Sequence, residues 1–73
     1  MMRLVRGLRE LTGLTQEKFA AKLGVTFPTI NRWENGHSRP SPLALRQIHS
    51  LVVELGEPAR DLAVHLLRHH DVA

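Results

Sequence analysis

At 73 residues, 42% hydrophobic and 23% charged, the chain has room for one folded domain over residues 1–73 and is too apolar for a disordered tail. It has no cysteine, which excludes a disulfide framework or a thiolate metal site and fits a reducing cytoplasm. The formal charge is +3, and eight of the ten cations are Arg, which favours planar bidentate contacts to phosphate or guanine.

The N-terminal segment MMRLVRGLREL carries charges through its apolar positions, so no signal peptide is expected. No apolar run approaches the roughly 20 residues that cross a bilayer. No segment alternates apolar and polar residues long enough to predict a strand. The spacing of Leu4, Leu8 and Leu11 predicts a first helix from about Arg3 to Leu11, ended by Gly13. Thr15 can cap a second helix, with Glu17 in its first turn. That helix runs to Leu23, and Gly24 supplies the left-handed residue beyond it. Thr26 is the next cap and Pro28 falls in the first turn of a third helix, which stops at Asn35 and Gly36. A loop covers 37–41. Ser41 and Pro42 then open a fourth helix, Leu43 to about Leu55, with Ala44, Ile48, Leu51 and Leu55 facing inward. Gly56 ends it, and Pro58 starts a fifth helix reaching about His69. The fold class expected is all-α, a compact five-helix bundle without an internal domain boundary.

The second and third helices carry the most information. Ala20 is small where their backbones must approach, Gly24 permits a sharp elbow, and Val25 plugs its inside. Ile30 and Trp33 define the buried side of the third helix. At 100° per residue, the opposite side holds Pro28, Asn31, Arg32 and Asn35. Glu34 lies on a flank, so this face has one cation and no anion, as a groove lined by phosphates requires. The pattern is expected of a DNA-binding helix-turn-helix.

The segment LRELTGLTQEKFAAKLGVTFPTINRWENGHSRPSP resembles the Cro/C1-type helix-turn-helix domains of phage repressors and the xenobiotic response element family of bacterial regulators. The resemblance covers about Leu8 to Leu55 and is most specific in LTQEKFAAKLGV and INRWENG. It implies a lambda-repressor-like bundle that binds operator DNA, normally palindromic, as a homodimer. On matching positions, Gln16 resembles the residue that hydrogen-bonds a phosphate. Thr26, Phe27, Pro28, Thr29 and Arg32 fall where the family reads or lines the groove, beside Asn31. Asn35, Gly36, His37, Ser38 and Arg39 resemble the backbone clamp after the recognition helix. Arg9 and Glu34 match an ion pair seen at the edge of the core in some members; two independent surface charges are the alternative. Phe27 and Pro28 depart from the family, because neither can hydrogen-bond a base. Apolar contact with thymine methyl groups is one role for them, and Phe27 folded into the core is another.

Other constellations are weaker. His65 and His69 have the i, i+4 spacing of a metal pair, with His70 and Asp71 near. No second motif completes a site, so no metal and no cofactor are expected. Nothing supplies a nucleophile with its base or a phosphate-cradling glycine loop, so an enzyme is not expected. Ala59, Leu62, Ala63, Leu66 and Leu67, with Val64 beside them, give the fifth helix a broad apolar surface. That surface either completes the monomer or pairs two copies. The expected function is sequence-specific binding of double-stranded DNA by a cytoplasmic transcriptional regulator, acting as a repressor by occupancy. The alternatives are an antitoxin-like module that neutralises a protein partner, and a DNA-targeting domain of a larger assembly.

Overall fold

The computed structural model describes residues 2–68, apart from the side chains of 67 and 68. Five helices follow one another: α1 (Met2–Thr12), α2 (Gln16–Leu23), α3 (Phe27–Glu34), α4 (Pro42–Leu55) and α5 (Glu57–Arg68). There is no strand among the described residues. Helix α1 packs on α3 and α5, α2 packs on α3, and α4 closes the bundle against α5.

Local chemistry explains where the helices start and stop. Thr15, Thr26 and Ser41 have extended backbones, and their side chains accept from the N–H groups of Lys18, Thr29 and Ala44. Each satisfies one amide that the first helical turn leaves without a partner. Between α2 and α3, Gly24 adopts φ +74° and its N–H reaches the carbonyls of Ala20 and Ala21. The Val25 N–H donates to the Ala20 carbonyl at 3.0 Å, which completes a left-handed helix stop. This elbow sets the angle between α2 and α3.

The largest fully buried side chains are Phe19, Leu8, Ile30 and Val5. They come from α1, α2 and α3, so the helix-turn-helix is built onto the first helix. Burying a Leu or Phe of this kind stabilises by about 1.5–3 kcal/mol. Ala44, Ile48 and Leu51 of α4 and Ala59 and Leu66 of α5 complete the core. Two details differ from the sequence reading. Val5 is fully buried whereas Leu11 is 45% exposed, because the buried arc of α1 runs from Leu4 through Leu8 to Val5 and leaves Leu11 outside it. Gly7 has a packing role that apolar periodicity does not reveal: a Cβ there would stand 2.6 Å from the Leu62 side chain of α5, which would have to shift.

Helix α5 begins at Glu57, one residue before Pro58, with Ala59 and Leu66 buried, Leu62 and Ala63 partly buried and Val64 exposed. The expected roles of Leu67, His69, His70 and Asp71 lie outside the described side chains. No described helix is long and apolar enough to cross a membrane.

Candidate nucleic-acid interface

Helix α3 has eight residues, FPTINRWE, and its inward stripe is Ile30, Trp33 and Glu34. The buried carboxylate is the main feature of the site. Glu34 is the one acidic residue of α3, and its side chain is 1% exposed. Arg9 Nε donates to Glu34 Oε2 at 2.7 Å, and Arg9 Nη2 donates to Oε1 at 3.1 Å. Gln16 Nε2 donates to the same Oε1 at 3.1 Å, and Arg6 Nε lies 3.5 Å from it. Burial alone pushes the Glu34 carboxyl up; hydrogen bonds from Arg9 and Gln16 and the charge of Arg9 outweigh it and leave the group below its ordinary value. The hydrogen bond to Glu34 holds the Arg9 guanidinium above its ordinary value. The pair is therefore an element of the core edge, and the reading of two independent surface charges does not hold.

Removing Glu34 from the surface leaves α3 with an exposed face free of carboxylates. Pro28 and Arg32 are exposed there, and Asn35 follows them past the helix end. Phe27 is 43% exposed, so it does not fold into the core. Asn31 is only half-buried, with its amide turned along the surface: Asn31 Nδ2 donates to Gln16 Oε1 at 3.3 Å. Asn35 Nδ2 in turn donates to Asn31 Oδ1 at 3.0 Å. Gln16, Asn31 and Asn35 are thus brought together.

Thr26 and Thr29 are joined as well. Their hydroxyls are 2.8 Å apart, and the Thr29 N–H donates to Thr26 Oγ1 at 3.3 Å. Both hydroxyls therefore shape the start of α3. After the helix, the His37 N–H donates to the Arg32 carbonyl at 2.9 Å, which ties the loop to the last turn. His37, Ser38 and Arg39 are exposed on that loop.

Arg9 and Gln16 also join the helix-turn-helix to what precedes it. Arg9 Nη1 donates to the Leu14 carbonyl at 3.2 Å, and the Thr12 hydroxyl donates to the Arg9 carbonyl and accepts from the Leu14 N–H. One arginine thus fixes the α1–α2 elbow and the base of α3. The Gln16–Asn31–Asn35 chain was not read from the sequence. Its signal was the i, i+4 spacing of the two asparagines, which places their side chains side by side. No described group of His, Asp and Glu is placed to hold a metal ion.

A family model described as helix-turn-helix matches residues 5–51, from within α1 to within α4. No curated protein and no solved structure gives a significant match.

Proposed function

Since the chain belongs to the Cro/C1-type helix-turn-helix family of DNA-binding transcription regulators, with its lambda-repressor-like fold, we propose that it reads double-stranded DNA by seating α3 in the major groove. The observation that carries this reading is the withdrawal of Glu34 from the surface. It leaves Arg32 exposed on a face where no acid of α3 would meet phosphates. Arg32 is the hydrogen-bonding reader, bidentate to guanine O6 and N7. Phe27 and Pro28, exposed at the start of the helix, make apolar contact with thymine methyl groups. Gln16 and Arg39 bind the phosphate backbone on either side of α3, with Asn35, His37 and Ser38 beside the second strand of contacts. Thr26 and Thr29 line the groove while holding the helix start.

We read the molecule as a cytoplasmic repressor that binds as a homodimer to a palindromic operator. Two copies would set their recognition helices about 34–36 Å apart, one turn of the duplex. Selection from random duplexes at two salt concentrations tests the reading. The expected result is a palindromic site, with affinity falling steeply as salt rises. Enrichment of no sequence, or binding indifferent to salt, would refute it.

A further inference from the structure

The hydrogen bonds on the α3 face run in one direction. A carboxylate only accepts, so Gln16 must turn its NH2 toward Glu34. That leaves the Gln16 oxygen facing Asn31, which must answer with its own NH2. The Asn31 oxygen is then left for the NH2 of Asn35. The buried anion therefore sets the orientation of three amides in sequence. Asn31, in the middle, is half-buried and committed at both its nitrogen and its oxygen, whereas Arg32 beside it is exposed.

We propose that Asn31 is a positioning residue rather than a base reader, and that the relay from Glu34 through Gln16 to Asn31 and Asn35 presents the second amide N–H of Gln16 to a DNA phosphate in a fixed orientation. The proposal deepens the DNA-binding reading and rests on it. Gln16 is the first residue of α2, where the helix dipole already favours an anion. An unanchored Gln amide would flip between donor and acceptor and lose rotamer freedom on binding. The relay removes that freedom before DNA arrives. It also explains why a short polar residue stands in the middle of the recognition helix without reaching outward.

The test compares the full chain with Gln16→Ala, Asn31→Ala and the double variant, on the duplex selected above and on an unrelated duplex. The expected result is that Asn31→Ala weakens both duplexes equally, by about 2- to 10-fold, the net worth of one hydrogen bond. Its base preference stays unchanged, and in the Gln16→Ala background it has no further effect. A changed base preference, or effects of the two substitutions that multiply, would overturn the proposal. Side-chain amide NMR of the free protein is an independent measurement. The relay requires Gln16 and Asn31 amide protons slowed in exchange with solvent in the wild-type chain, and loss of the Asn31 protection in Gln16→Ala, which removes its acceptor. A Gln16 amide that exchanges freely in the wild-type chain overturns the relay. A protected amide in a chain that binds no duplex would leave the relay standing and sink the DNA-binding reading instead.

Discussion

Arg9 and Glu34 stand 25 positions apart and meet through two hydrogen bonds, the shorter 2.7 Å long. Their burial is unequal: the Glu34 side chain is 1% exposed and that of Arg9 22%. Losing the arginine takes the closest cation from a buried anion that Gln16 and the more distant Arg6 also touch. Losing the glutamate leaves a cation that can turn to water. Arg9→Met should therefore destabilise the fold by about 3 kcal/mol, near the lower end for breaking a buried pair. Glu34→Gln should cost less. Urea denaturation of both variants checks the order, and equal losses would contradict the asymmetry.

Acid should unfold the chain partly through Glu34. Its carboxyl lies below its ordinary value of 4.5 in the folded state, so the unfolded chain takes up the proton more readily. The stabilisation is complete above that ordinary value and fades as pH falls through the lower folded one. Thermal melts of wild type and Glu34→Gln should converge at the acid end, over about pH 2–5, where carboxylates titrate. A gap that stays constant through the acid range would remove Glu34 from the explanation.

Two helix stops separate backbone strain from crowding. A Cβ at Gly24 or at Gly56 would touch nothing within 4 Å, so the backbone alone sets the cost of substitution. Gly24, at φ 74° and ψ 27°, is in the ordinary left-handed region. Gly24→Ala should cost about 1–2 kcal/mol. Gly56, at φ 80° and ψ −147°, lies near a region that only glycine occupies readily. Gly56→Ala should cost more, up to about 3 kcal/mol. Calorimetry on the two variants decides the order.

Phe27 and Arg32 should divide stability from binding. Both are exposed, and Phe27 is not among the core residues. Phe27→Ala should change stability by less than about 1 kcal/mol while weakening DNA binding. Arg32→Ala should cost about 1–3 kcal/mol of binding and relax preference at one base pair, whereas Arg39→Ala should weaken all sequences alike. Titrations on the selected duplex and on single-base variants give both answers. An Arg32→Ala protein with unaltered affinity and preference would mean that another face meets the DNA.

The sequence by itself determined the helices, the elbow and the side of α3 that is buried. Those depend on neighbours: Thr15, Thr26 and Ser41 each cap the helix that follows by accepting from the N–H three residues ahead, and Gly24 stops α2 through its own backbone. The identity of the family was also legible, because LTQEKFAAKLGV and INRWENG concentrate its constraints in one stretch. The resemblance offered Arg9 and Glu34 as a core-edge ion pair beside the alternative of two surface charges, and only the tertiary structure decided between them. A helical wheel places Glu34 on a flank, and whether a flank is wet or buried depends on what packs beside it. Arg9 and Gln16, from α1 and the start of α2, close over it. The same holds for the direction of the amide relay, for Gly7 under Leu62, and for Phe27 in solvent. Each is a contact, or a missing contact, between elements. Local spacing carries no information about it until the chain has folded.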